Sequence, residues 1–137
     1  MKARNWLAAI VFVALAAAAG NAGAAGGAGQ EVMTAIQHAG YSAGSDSVEK
    51  QQLHLHHVVN CLVGEQGEGF DAAAGNPCKG QGSGAINDAP EGSQARMLIE
   101  QAAALARLGT KNPVALATKH VALAVEETLK QAEAELK

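Results

Sequence analysis

The sequence predicts an all-α protein, an up-down-up-down four-helix bundle with a long glycine-rich loop between the second and third helices. Hydrophobic residues make up 48% of the 137 residues but aromatic residues only 3%, so much of the apolar content is alanine. Alanine favours closely packed helices, whereas sheets are rich in aromatic and β-branched residues. Four segments carry apolar residues at helical spacing. The first two and the last two segments are joined by short links, as in antiparallel helix hairpins.

The N-terminus has the order of regions that is typical of a secretory signal peptide. Lys2 and Arg4 precede an apolar run over residues 6–19, and small residues follow, ending in the Ala-x-Ala site at residues 22–24. We predict a signal peptide over residues 1–24, a single helical domain over residues 25–137, and a periplasmic or secreted bacterial protein. The alternative is an uncleaved anchor, although fourteen apolar residues are fewer than the ~20 that a membrane helix needs. No membrane association is expected after cleavage.

The charge balance argues against nucleic acid as a partner. The formal net charge is −3, with 10 basic and 13 acidic residues. Cleavage would remove Lys2 and Arg4 and no acidic residue, which leaves a net charge of −5. Nucleic-acid-binding domains usually carry a basic surface, so we expect none here.

The first helical pair is predicted over residues 30–43 and 46–64. In the first segment, Val32, Ile36 and Ala39 share one helical face. The second segment begins with the Asp-x-x-Glu spacing of a helix cap and ends at a glycine. Its apolar stripe is formed by Leu55, Val58, Val59 and Leu62.

The second helical pair is predicted over residues 91–108 and 112–136. Gly109 is the expected C-cap of the first of these helices. Asn112 is the expected N-cap of the second, with Pro113 at its first position. The apolar stripe of this last helix is predicted as Val114, Ala117, Val121 and Val125, with Leu129 adjoining.

The two cysteines, Cys61 and Cys78, are expected to form a disulfide. An even number of cysteines in an exported chain makes this the default, and a loop of this size stabilises a fold by about 3 kcal/mol. The bond would tie the middle of the predicted loop, residues 65–90, to the second helix. The glycines at 80, 82 and 84 do not form a phosphate loop, because no Gly-Lys-Ser/Thr follows them and no strand precedes them. No nucleotide is therefore expected.

Histidine is the one residue type whose chemistry is concentrated in the sequence. His54 and His57 share an arc of about 60° with Cys61 on the second helix. His120 is expected to face inward at the same level of the bundle, and His38 within about a turn of it. The predicted metal ligands are therefore His54, His57, His120 and His38, and imidazoles of this kind suit Zn²⁺, Cu²⁺ or Ni²⁺.

A second interpretation stays open at this stage. The histidines could instead donate hydrogen bonds to loop carbonyls and support a non-enzymatic interaction or structural module, whose contact surface is the tethered loop and whose partner would be an unidentified exported protein. No serine has a histidine at a spacing that suggests a nucleophile and its base, so no enzymatic activity is expected. Haem is not expected either, because only Tyr41 and Phe70 remain after cleavage to pack a porphyrin.

Two resemblances accompany these observations. The motif HLHHVVNCLVG of residues 54–64, followed by Phe70-Asp71 and by Gly75-Asn76-Pro77-Cys78, resembles a pattern in small exported bacterial proteins of unassigned function. The predicted bundle is also similar, more loosely, to periplasmic small metal-binding proteins, which spread many histidines along all their helices. This chain has five histidines, three of them on one helix. The second resemblance implies metal binding by analogy of fold and composition.

Overall fold

The computed structural model describes residues 24–137, with side chains from residue 27 onward, and this part of the chain is all-helical. The predicted signal peptide lies outside it except for Ala24. Five helices follow one another without a strand in this range: α1 Ala24–Gly44, α2 Val48–Val63, α3 Ala85–Asp88, α4 Gln94–Gly109 and α5 Ala115–Glu135. Among these helices, none is both long enough and apolar enough to cross a membrane.

Helix α1 begins six residues before the predicted start. Its first turns consist of alanine and glycine and show no apolar periodicity, yet Ala28 is fully buried. Gly27 allows the Asp88 side chain to approach α1 closely, because a Cβ at residue 27 would lie 2.8 Å from the Asp88 carboxylate. The small residues therefore allow α1 to begin before the first residues that show apolar spacing.

The predicted caps are partly wrong. Ser47, rather than Asp46, caps α2 by accepting a hydrogen bond from the N–H of Lys50, because Ser47 adopts the extended backbone that a cap requires. Gly109 does not cap α4 but lies inside it. A Cβ there would come within 2.3 Å of Leu55 Cδ1, so this glycine lets α2 and α4 pack closely.

Helix α5 begins later than predicted, and its buried face is shifted in part: Val125 and Leu129 are buried as predicted. Its N-cap is Val114, and Asn112 instead accepts a hydrogen bond from the Val114 N–H. Val114, expected in the apolar stripe, is 56% exposed. The buried residues of this helix are Thr118, Ala122, Val125, Leu129 and Ala132.

The core is lined mainly by alanine, as the composition predicted, with a few larger aliphatic side chains such as Leu55, Leu62, Ile99 and Leu129. Helix α1 packs against α2 and α5, α5 against α4, and α4 against α2. The segment between α2 and α4 is not free of regular structure, because the one-turn helix α3 forms within it and packs on α1. The disulfide between Cys61 and Cys78 is confirmed and ties this segment to α2.

Candidate metal centre

Two helices bring three histidines together. His54 and His57 lie one turn apart on α2, and His38 faces them from α1. The crossing of these helices is fixed nearby, where the buried Ser42 hydroxyl donates to the carbonyl of Gln51. Fully buried alanines at 35 and 39 line the same helix and let α1 approach α2 closely. We call His38, His54 and His57 the histidine cluster.

The ring nitrogens of the histidine cluster converge. His38 Nδ1 lies 3.2 Å from His54 Nδ1 and 3.2 Å from His57 Nδ1. One ring nitrogen from each residue can be chosen so that all three lie within 4.8 Å of one another. The three side chains are half-buried, so the centre is open on one side. The ring of Tyr41 adjoins this side, with its centroid 5.5 Å from those of His38 and His54.

The tautomer of His57 is set by its second ring nitrogen. His57 Nε2 lies 2.7 Å from the carbonyl oxygen of Ala74. Because a carbonyl oxygen only accepts, Nε2 carries the hydrogen and donates it. The Nδ1 atom of a neutral His57 therefore keeps its lone pair, directed at the cluster. Histidines that bind metals are commonly oriented by a backbone carbonyl in this way.

Asn60 holds the carbonyl of Ala74 in place. Its side-chain amide donates to the carbonyls of Asp71 at 2.7 Å and of Gly75 at 2.6 Å. Its oxygen accepts the N–H of Asp71 at 2.8 Å. Since Asn60 is only 1% exposed, these bonds form away from water and fix the chain on both sides of Ala74.

Two imidazoles of the cluster, those of His38 and His54, favour the neutral form. Burial, followed by the proximity of His57 and His54, lowers the pKa of His38 to about 4. Burial, followed by His57, also lowers the pKa of His54. A neutral imidazole is the form that binds a metal ion, so His38 and His54 need lose no proton at neutral pH to act as ligands.

The close Nδ1 atoms leave room for a cation to bind all three rings. With the His57 lone pair fixed, one hydrogen on His38 Nδ1 can be directed at only one of its two neighbours at a time. A metal ion satisfies all three lone pairs at once. A tetrahedral ion bound 2.0–2.1 Å from each nitrogen separates the nitrogens by about 3.3 Å, close to the two observed contacts. The histidine cluster can thus hold a metal ion.

The structure brings together three of the four predicted ligands. His54, His57 and His38 lie together, whereas His120 is exposed and is not in the cluster. The prediction that His120 faces inward was wrong because α5 buries Thr118 and Ala122, which places the residue midway between them on the opposite side of the helix. His56, on the neighbouring ridge of α2, lies 3.4 Å from the Asp71 carboxylate.

Sequence reasoning missed two contributors to the site. The carbonyl of Ala74 belongs to the backbone and leaves no sequence signal. Asn60 lies one helical turn after His56 on α2, and nothing in the sequence indicates which part of the chain its amide binds. A buried asparagine within a glycine-rich, disulfide-tied region is the one signal that could have drawn attention to it.

Comparison with known proteins gives no relative to argue from: no protein family, no curated protein and no solved structure matches the chain. The resemblances noted from the sequence therefore stay predictions. The case for function rests on the geometry of the site.

Proposed function

We propose that this protein binds or sequesters a transition-metal ion, Zn²⁺, Cu²⁺ or Ni²⁺, through His38, His54 and His57, and that it is a binding protein rather than an enzyme. The observation that carries the proposal is the convergence of three imidazole Nδ1 atoms from two helices. Imidazole is a preferred ligand of these three ions.

The number of ligands leaves the proposed ion with an open coordination position. Three nitrogen ligands leave one position of a tetrahedral ion for water or an external donor. The side of the cluster next to Tyr41 is open, since Tyr41 itself is 48% exposed. An ion held in this way would keep one position open to water or an external donor.

We also propose that the four long helices form an up-down-up-down bundle, and that residues 65–90, which include α3, form its tethered loop. The packing of α1 on α2 and of α4 on α5 supports two helical hairpins. The glycines at 75 and 80 have positive φ angles, which supports a chain of tight turns in this segment.

Export is the third part of the proposal. The disulfide between Cys61 and Cys78 supports an oxidising compartment, because such bonds are rare in the reducing cytosol. The predicted signal peptide over residues 1–24 supports the periplasm or the exterior of a bacterial cell.

Calorimetric titration of the tag-free full-length protein with each ion tests the metal proposal. We expect micromolar or tighter binding of one ion per chain, weakened at least 100-fold in His54→Ala and in His57→Ala. His120→Ala is the matched control, because this histidine is exposed outside the cluster, and it should bind as the wild type does. No binding in the micromolar range, or equal binding in all three variants, would refute the proposal.

One observation favours the alternative of an interaction module. Two adjoining cavities of about 440 and 520 Å³ lie along the segment after α2 and share Glu65, Gln66, Asn76 and Lys79. If a protein partner binds there, Lys79→Ala should abolish its capture from an exported fraction while His54→Ala leaves the capture intact. The reverse pattern, in which the metal and the cluster are needed, favours the metal proposal.

A further inference from the structure

A buried carboxyl group lies apart from the histidine cluster. Glu31, on α1, is only 1% exposed. Its Oε1 atom accepts the N–H of Gly84 at 2.8 Å. Its Oε2 atom is buried and has no hydrogen-bond partner among the described residues. An ionised carboxylate in such a place is costly, because one of its oxygens has lost water and gained nothing.

The carboxyl group of Asp88, at the end of α3, approaches Glu31. Asp88 Oδ2 accepts the N–H of Ser83 at 2.9 Å, so consecutive backbone N–H groups are each bound by one of the two acids. Both acids lie close to Gly82: a Cβ at this position would be 2.1 Å from Asp88 Oδ2 and 2.9 Å from Glu31 Oε1. Segment 82–84 is thus held against α1 and α3 by two carboxyl groups.

Two adjacent carboxyl groups do not both ionise easily, and a proton shared between them removes the repulsion. Such a proton also gives the pair a hydrogen bond that two ionised carboxylates cannot form, since neither of them carries a donor. The surroundings are consistent with this: burial raises the pKa of Glu31 to about 7, the Gly84 N–H opposes the rise, and Asp88 adds to it.

Other charged groups do not replace the proton. Glu65 and Lys79 line the 440 Å³ cavity that Glu31, Gly82 and Ser83 also line, and Lys79 is exposed. Asn60 of α2 and the disulfide-bonded Cys78 complete this side and carry no titrating group. Asp88 is the charged neighbour that acts on Glu31.

We propose that Glu31 and Asp88 share one proton, which clasps segment 82–84 to α1, and that loss of this proton near neutral pH loosens the segment and opens the wall of the adjoining cavity. We call the pair the carboxyl clasp. It is independent of the metal proposal, since neither acid belongs to the histidine cluster. A protein whose surroundings change from mildly acidic to mildly alkaline would widen this cavity only in the second condition.

Side-chain ¹³C NMR of the full-length protein between pH 5 and 9, with metal removed, tests the clasp. We expect the Glu31 carboxyl to titrate at least 1.5 pH units above its usual value of 4.5. We expect the amide protection of Ser83 and Gly84, corrected for intrinsic exchange, to fall at least tenfold between pH 6 and 8. A Glu31 carboxyl that titrates below pH 5.5, or protection that does not change, would overturn the proposal.

Glu31→Gln is the matched variant, because its amide keeps an oxygen for Gly84 and gains a permanent N–H for Asp88. Protection in this variant should stay constant over the same pH range. Asp88→Asn provides a second readout, since its amide can donate to an ionised Glu31 and should lower the Glu31 titration by at least one pH unit. A wild-type fall in protection that persists in Glu31→Gln contradicts the clasp. The clasp is also contradicted if 1 mM Ca²⁺ lowers the titration of Glu31 below pH 5.5. That result would make the pair a cation site.

Discussion

The Nε2 hydrogen of His57 is donated to the carbonyl oxygen of Ala74, 2.7 Å away, and this single bond links the histidine cluster to the segment that follows α2. It directs the lone pair of His57 Nδ1 towards His38. The two interpretations of the sequence, histidines as ligands and histidines bound to carbonyls of the chain, are therefore not exclusive. The carbonyl holds the ring, and the other ring nitrogen stays free to bind a metal ion.

Loss of the Asn60 amide should weaken metal binding although this residue touches no ion. In Asn60→Ala the carbonyl of Ala74 is no longer fixed by the bonds to Asp71 and Gly75, so we expect a 10- to 100-fold lower affinity for Zn²⁺. Calorimetry measures the affinity of this variant for Zn²⁺, at a temperature where circular dichroism shows that the variant is folded. Gln52→Ala is the control, because it removes one bond from α2 to the chain near α5 and should leave the affinity unchanged.

Acid should destabilise the metal-free protein through His38. The pKa of His38 is lowered to about 4, so the unfolded chain binds protons more readily than the folded one between pH 6.5 and 4. The neutral imidazole of His38 therefore contributes fully to the free energy of unfolding above pH 6.5. As the pH falls towards 4, this free energy decreases by on the order of 2 kcal/mol, after an allowance for solvent screening.

The difference in urea stability between wild type and His38→Gln isolates the titration of His38 and of the histidines coupled to it, because contributions of groups apart from the cluster, such as Glu31, cancel. In the presence of a chelator, we expect the free energy of unfolding of wild type relative to His38→Gln to fall by on the order of 2 kcal/mol between pH 7 and 4.5. A constant difference over this range contradicts the assignment. The same substitution at His120, which is exposed outside the cluster, serves as the control.

Removing the disulfide should cost both stability and metal affinity. Cys61 and Cys78 are 17 residues apart, and in the chain-entropy model a loop of this size contributes about 3 kcal/mol. The double variant Cys61→Ser/Cys78→Ser should therefore unfold at lower urea concentration. Ala74 lies within the closed loop, so we also expect weaker Zn²⁺ binding at a temperature where the variant is still folded. Unchanged affinity would show that Asn60 alone orders this segment.

Two glycines of the long helices should respond to alanine in opposite directions. In Gly109→Ala the new Cβ meets Leu55 Cδ1 at 2.3 Å and Val121 Cγ1 at 3.0 Å, so overpacking should destabilise the protein by about 1–3 kcal/mol. In Gly29→Ala nothing lies within 4 Å of the new Cβ, and the gain in helix propensity should stabilise it by about 0.5–1 kcal/mol. Thermal unfolding of both variants measures the contrast.

The helical class and the disulfide could be predicted from the sequence because they depend on local signals. Alanine content, apolar spacing and an even number of cysteines each point to one outcome without knowledge of the fold. Two of the three clustered histidines, His54 and His57, follow from the one-turn spacing on α2. His38 could be added because a short link turns α1 back along α2.

The errors arose where packing between helices decides the outcome. The burial of α5 is shifted so that Thr118 and Ala122 face the core, and alanines on several faces made the phase of this helix ambiguous in the sequence. Gly109 looked like a cap because a glycine after an apolar run usually is one, yet here it fits beneath Leu55. The contact between Glu31 and Asp88 joins residues that are far apart in the chain and follows no spacing rule.

Long-range ¹H–¹⁵N NMR of the histidine rings, recorded before and after one equivalent of Zn²⁺, tests the metal centre most directly. We expect the Nδ1 resonances of His38, His54 and His57 to shift together to values typical of metal-bound nitrogen, while Nε2 of His57 keeps its hydrogen. The rings of His56 and His120 should be unaffected. Shifts confined to His56 or His120, or no shift at any of the three clustered rings, would contradict the proposed site.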